Sequence, residues 1–104
     1  MATIEELARA ALQREPTLPA LEFNGAWIHW GEISRIAAGV RSVVQSNSGK
    51  IALVTRNRPS GLAALLGLLA DGHAIRMVYP FQSAASLAAD LERIGPSTVV
   101  ADQD

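Results

Sequence analysis

The spacing of apolar positions changes several times along the chain, and each change marks an element. Ile4, Leu7, Ala8, Ala11 and Leu12 recur at the i, i+3, i+4, i+7, i+8 spacing of an amphipathic helix, and Thr3 with Glu6 has the spacing of a capping box at its start. That helix ends before Pro16, and Glu15-Pro16-Thr17-Leu18-Pro19 reads as an extended connector, because each proline biases its predecessor away from helix. Asn24-Gly25 is a preferred two-residue hairpin turn, since both residues tolerate positive φ; it sets Phe23 opposite Ala26 and Leu21 opposite Ile28. A second amphipathic helix follows, with Ile33, Ile36, Ala37, Val40 and Val44 inward and Glu32, Arg35, Arg41 and Gln45 outward. It stops in the turn-rich run Ser46-Asn47-Ser48-Gly49.

Beyond that turn the pattern alternates between strands and helices. Ile51 to Val54 is a continuous apolar run, Pro59-Ser60-Gly61 opens a helical stretch to Ala70, and a second run extends from Ala74 to Tyr79. A further helix carries Leu87, Ala88, Leu91 and Ile94 on one side, ends near Gly95-Pro96, and leads to a last run from Thr98 to Ala101. Short runs that are apolar on both faces and alternate with helices predict a three-layer α/β fold, with parallel strands between helices and a small N-terminal hairpin. The chain reads as one partial α/β domain over residues 1–104: an N-terminal helix within 1–15, a connector over 16–20, and the hairpin with the helix and strand alternation over 21–104.

The stretch from Gly61 to Ala70 has no polar face, because its leucines point in nearly every direction around the axis. A helix apolar all round is a buried one. A sheet covers only one of its sides, so the expectation is that further chain, or a second copy in a homo-oligomer, covers the rest. Gly61, Ala64 and Gly67 form a small-residue stripe at which another element can approach closely.

Composition narrows the function classes. Nine basic and ten acidic residues give a net charge of -1 with no block of one sign, which argues against nucleic acid as a partner. The absence of cysteine removes thiolate nucleophiles, thiolate metal sites and disulfides, and fits a cytoplasmic location. The longest apolar run is about half of the ~20 residues needed to span a bilayer, so no membrane span is expected. Residues 1–14 carry Glu5, Glu6, Arg9 and Arg14, and so lack the apolar core of a secretory signal.

Few residues suggest chemistry. The loop from Thr55 to Gly61 joins a strand to a helix, the edge of an α/β sheet at which ligands usually bind, and Arg56, Arg58 and Ser60 are its anion-binding candidates. It matches neither phosphate-loop pattern, and the competing reading is a structural turn capped by Asn57 or Ser60. His29 falls at a helix N-cap and His73 follows Gly72 at a helix end; neither has metal-ligand spacing, so no metal site is expected. Asp90 and Glu92 read as a solvated helix face, with Asp102 and Asp104 on the tail, and no serine sits in a nucleophile elbow. Arg76 interrupts its strand, which reads as an edge position with a snorkelling side chain, and Trp27 and Trp30 are expected to pack at the hairpin exit.

From Leu21 onward the succession resembles the opening of the adenylate-forming, AMP-binding superfamily of acyl-CoA synthetases, adenylation domains and luciferases. Phe23-Asn24-Gly25-Ala26-Trp27-Ile28-His29-Trp30-Gly31-Glu32-Ile33 is similar to that family's turn and helix start, and Ile51 to Val54 with Asn57-Arg58-Pro59 to its next strand and loop. Leu65 to Ala74 resembles its buried leucine helix, and Ser83 to Ala101 its following helix and strand. His29 departs from the family's hydroxyl residue, and Met77 stands where proline is common. The family's Gly-rich Ser/Thr loop with its lysine, the aromatic-Gly-x-Thr-Glu segment, the Thr-Gly-Asp segment and the C-terminal catalytic lysine have no counterpart in this sequence. Lys50 matches neither lysine.

The resemblance therefore implies an N-terminal scaffold fragment of an AMP-forming acyl-CoA synthetase of the fatty-acid ligase type, with no catalytic, cofactor-binding or metal residue of its own. ATP, magnesium and coenzyme A are implied for the parent enzyme, and the remainder of that ligase is the implied partner. The alternatives are a self-associating α/β interaction module and a weak small-anion binder using Arg56 and Arg58.

Overall fold

The computed structural model describes residues 2–44 and 49–101. Gln45, the run Ser46 to Ser48, Asp102 and Asp104 lie outside the described residues. The elements in order are α1 (Ile4–Leu12), β1 (Pro19–Phe23), β2 (Ala26–His29), α2 (Trp30–Val43), β3 (Ile51–Val54), α3 (Pro59–Ala70), β4 (Ile75–Met77), α4 (Ala84–Ile94) and β5 (Thr98–Ala101). β1 and β2 form an antiparallel hairpin; β4, β3 and β5 form a parallel sheet with β3 in the middle. The fold is α/β in three layers, as the alternating pattern predicts.

β3 is buried along its whole length, and its side chains alternate between two cores. Ile51 and Leu53 face Val44, Ala64 and Leu68, with Val40, Leu65, Ile75 and Val100 at the margin. Ala52 and Val54 face the opposite way, toward Val78 and the α4 residues Leu87, Leu91 and Ile94. Ala88, expected on that inner side, is exposed. It lies on the outer flank of a helix that meets the sheet mainly through its longer side chains. Of the strand expected over 74–79, Ile75–Met77 forms the regular part and its backbone bonds to β3 reach Ala74 and Val78, and Arg76 is indeed exposed on an edge strand.

The enclosure of α3 corrects the expectation drawn from its leucines. Its cover comes from within this chain: α1 and α2 both pack on it, and α2 lies beside it over the same face of the sheet. Leu68 is fully buried, Leu65, Leu66 and Leu69 are half-buried, and only Leu62 is open, at 39%. The small-residue stripe is used as expected, because a Cβ on Gly67 would lie 3.0 Å from the Ala37 carbonyl oxygen of α2. Arg9 Nε donates to the Ala70 carbonyl at 2.8 Å, and Arg41 of α2 donates twice to Asp71 Oδ1, at 3.0 and 2.7 Å. These contacts draw both helices to the C-terminal end of α3, where helix carbonyls lack intrahelical partners.

α1 is capped as predicted: Thr3 Oγ1 accepts from the Glu6 N–H, and the Glu6 carboxylate accepts from the Thr3 N–H. Its orientation differs from the expected stripe, with Ala8 buried, Ala11 and Leu12 half-buried, and Ile4 and Leu7 exposed. The rotation is set by Arg9, whose guanidinium reaches Ala70, and by Ser34 Oγ, which donates to the Leu12 carbonyl at 2.6 Å.

The hairpin has the predicted register, with Leu21 opposite Ile28 and Phe23 opposite Ala26, and both turn residues have positive φ, 52° at Asn24 and 81° at Gly25. Trp27 is exposed and Trp30 half-buried, so only the second packs as expected. Trp27 pairs across the hairpin with Glu22, which is exposed as well. His29 is the N-cap of α2 but makes no side-chain capping bond. Connector carbonyls do that work instead: the N–H of Trp30 donates to Leu18 O at 2.9 Å, and that of Gly31 to Pro16 O at 3.0 Å.

Shortening a leucine of α3 separates its covered and open sides. Leu68→Ala is expected to lower unfolding free energy by about 2–5 kcal/mol, and Leu62→Ala by less than about 1.5 kcal/mol, in urea denaturation followed by circular dichroism. Equal losses would contradict the burial described above.

Candidate functional site

The connection order places one loop at a distinctive point in the sheet. The chain passes from β3 through α3 to β4 on one side, then crosses back through α4 to β5 on the other, and α3 and α4 lie on opposite faces. β3 is thus the strand at which the winding reverses, and in open α/β sheets the crevice beyond such a strand's carboxyl end is where ligands bind. The residues that leave β3 there are Thr55 to Arg58, so the loop singled out in the sequence stands at the switch point.

Its shape follows from two local constraints. The Arg58 N–H donates back to the Arg56 carbonyl at 2.8 Å, a tight turn, and Pro59 then occupies the first turn of α3, where its missing N–H costs nothing. Arg58, rather than Asn57 or Ser60, is the N-cap, and it makes no side-chain capping bond. The turn lies so close over α3 that a Cβ on Gly61 would sit 2.7 Å from the Arg56 carbonyl oxygen and 2.9 Å from Thr55 Oγ1.

Three depressions border the loop, one of them beside Tyr79 and Phe81, and the other two divide its candidate residues. The first, of about 320 Å³, lies between the hairpin and the start of α3; Arg56, Arg58, Glu22, Phe23, Leu62 and Met77 are among its lining. The second, also about 320 Å³, lies on the β5 side and is lined by Thr55 and Ser60 with Ile36, Val40, Ala64 and Val100. The three anion candidates are therefore divided: the arginines border the hairpin depression and Ser60 the other. Both arginines are already engaged by interactions within the chain. Glu22 adds a carboxylate to the arginine side. The arrangement is an amphipathic cleft with mixed charge rather than a concentrated anion hole.

The remaining candidates are dispersed. His29 lies at the start of α2, and His73 lies beyond the end of α3, with a buried Nε2 that has no hydrogen-bond partner among the described residues. No group of three or more His, Cys, Asp or Glu side chains among the described residues could hold a metal ion. Asp90 is more structured than a solvated face implies: its carboxylate accepts from Arg93 at 3.2 Å and from Gln82 Nε2 at 3.2 Å. These bonds, that from Arg93 the stronger, hold its pKa below the usual carboxylate value. Sequence reasoning missed this link, since Gln82 precedes the helix and meets Asp90 only once Ser83 caps α4.

No protein-family profile and no curated protein sequence matches this chain. Solved structures do match it in fold. The Klebsiella oxytoca NpsA N-terminal subdomain in complex with 3-hydroxyanthranilyl-AMSN aligns over 99% of this chain with a TM-score of 0.76 and 19% identity. The same subdomain in complex with 3-hydroxybenzoyl-AMSN aligns over 100% with a TM-score of 0.76 and 18% identity. NpsA-ThdA, an artificially fused Adenylation-PCP di-domain NRPS from the same organism, aligns over 99% with a TM-score of 0.78 and 19% identity. This chain spans 28% of either subdomain chain and 20% of the fused one. Its fold is thus one present within the N-terminal subdomain of an adenylation enzyme.

Two measurements check the local geometry. Gly61→Ala is expected to lift the loop off α3 and cost about 1–3 kcal/mol in urea denaturation, with chemical-shift changes concentrated at Thr55 to Arg58. Asp90 is expected to titrate below an ordinary aspartate in a carboxyl NMR titration, and Arg93→Gln to raise its midpoint more than Gln82→Ala. Because the folded-state pKa is the lower one, its stabilising effect is present above the unfolded pKa and is lost as pH falls through the folded value.

Proposed function

We propose that this chain is an N-terminal scaffold portion of an adenylate-forming carboxylic acid ligase, of the acyl-CoA synthetase type, and is catalytically silent by itself. The observation that carries the reading is the match in fold over 99% of this chain to 28% of an adenylation enzyme's N-terminal subdomain. The resemblance of the hairpin turn, the Asn57-Arg58-Pro59 loop and the leucine helix to the acyl-CoA synthetase opening supports the same reading from the residues.

In this role β3, β4 and β5 form part of a larger sheet, and the cleft at the switch point is a wall against which other parts of the enzyme build. ATP, magnesium and coenzyme A belong to the parent. Stabilising charge on the α-phosphate during adenylation needs several convergent donors and a metal ion, and the described residues offer no such set. A cytoplasmic parent accords with a sequence free of cysteine. No helix among the described residues is long and apolar enough to cross a membrane.

The test is carboxylate-dependent ATP–pyrophosphate exchange over a panel of acids. This purified chain is expected to show none, whereas the native polypeptide captured with an antibody to this chain is expected to be several times longer and to exchange. Thioester formation with added coenzyme A by the captured polypeptide would establish the acyl-CoA synthetase type. Exchange by the short chain, or a native polypeptide of only this length, would refute the scaffold role.

A further inference from the structure

The two arginines that fasten α1 and α2 to the end of α3 also border a hollow between those two helices. Its volume is about 190 Å³, and it is lined by Arg9, Leu12 and Gln13 on the α1 side and by Ser34, Ala38 and Arg41 on the α2 side. Among the described residues, no carboxylate lines it. The guanidinium groups are brought together because their anchors are consecutive residues: Arg9 Nε donates to the Ala70 carbonyl, and Arg41 Nε and Nη2 donate to Asp71 Oδ1. Ala70 and Asp71 lie at the opposite end of α3 from the switch-point loop, so this hollow is separate from the cleft described above.

Donors outnumber acceptors here. The only other bond of either guanidinium among the described residues runs from Arg9 Nη2 to Glu5 at 2.6 Å, so all of these bonds use Nε or Nη2. The Nη1 of each arginine therefore keeps two N–H groups unbonded among the described residues. Their side chains are 49% and 39% exposed, which leaves both within reach of a solute. Acceptors that could compete are already used: the Gln13 N–H donates to the carbonyls of Arg9 and Ala10, the Arg14 N–H to that of Ala11, and Ser34 Oγ to that of Leu12. The last four carbonyls of α1 are thus paired. The exposed Gln13 side chain adds an amide with two further N–H groups.

We propose that the hollow between α1 and α2 binds a small tetrahedral oxyanion, with the chemistry of inorganic phosphate. Guanidinium groups match phosphate oxygens in charge and in the spacing of their N–H groups. Donors come from both helices, so an ion with four oxygens is served better than a carboxylate with two. Ala38 presents only a methyl group, which leaves the space open. Glu5 and Asp71 hold the guanidinium groups in place and also offset their charge, so binding is weak, with a Kd of roughly 1–10 mM. The site does not depend on the scaffold role.

NMR of the arginine Nε–H groups tests it, with inorganic phosphate titrated into this chain at neutral pH and the ionic strength held constant with sodium chloride. Arg9 and Arg41 are expected to shift along a saturating curve while Arg56, Arg58 and Arg76 do not, and acetate to bind more weakly by about fivefold or more. Ala38→Glu places a carboxylate in the hollow, one helical turn from Arg41, without removing a hydrogen bond; it should abolish saturation and leave the melting temperature nearly unchanged. Glu5→Gln, which lifts one opposing charge, should tighten phosphate binding by roughly two- to fivefold. Shifts that never saturate and are shared by all the arginines would mean screening alone and overturn the site, as would saturation confined to Arg56 and Arg58. Acetate binding as tightly as phosphate would overturn the tetrahedral class. Phosphate affinity unchanged by Glu5→Gln would place the ion elsewhere and overturn the proposal even if Ala38→Glu failed to fold.

Discussion

A strand four residues long cannot be stable when both of its faces must be hidden, unless the chain brings cover to each side, and β3 is in that position. Each consecutive side chain of Ile51 to Val54 enters the opposite core, so neither layer of helices is optional. α4 covers the even-numbered residues; α2 and α3 together cover the odd-numbered ones. β4 and β5 owe their positions to pairing with this strand, and the switch-point loop owes its place to leaving its end. The site and the layers thus share one origin.

The cover of α3 shows how the outer layer is completed. A helix with little polar surface contributes nothing to solubility on its own, and α1 and α2 meet it with small residues and long cations. Ala8 and Ala37 allow close approach, while Arg9 and Arg41 bind its carboxyl end. Burial supplies most of the attraction, and the arginines fix where along the helix the partners stop. Exposed ion pairs alone add little.

Much of this was legible in the residues. The Asn24-Gly25 turn determines hairpin register because so few turns fit two strands, and β3 and β5 stand out as runs without polar interruption bounded by turn residues. The cover of α3 was harder to read, because α1 buries a face centred on Ala8 rather than the one that contains Ile4 and Leu7. Hydrophobic spacing cannot report a rotation imposed by Arg9 reaching a carbonyl 61 residues away. The loop after β3 was legible as a location but not as an arrangement. Helical residues advance by about 100° each, so once Pro59 starts α3, Ser60 turns toward β5 while Arg56 and Arg58 stay beside the hairpin.

The join between the connector and α2 bears on how this sequence can vary. Pro16 and Leu18 meet the helix through carbonyl groups, which every amino acid possesses, so their side chains are free to drift while the bonds persist. Gly31 has no such latitude: a Cβ there would lie 3.1 Å from that of Pro16 and 3.3 Å from the carbonyl oxygen that its own N–H requires. The hallmark of this junction across related sequences would therefore be an inherited glycine facing a connector of changeable composition.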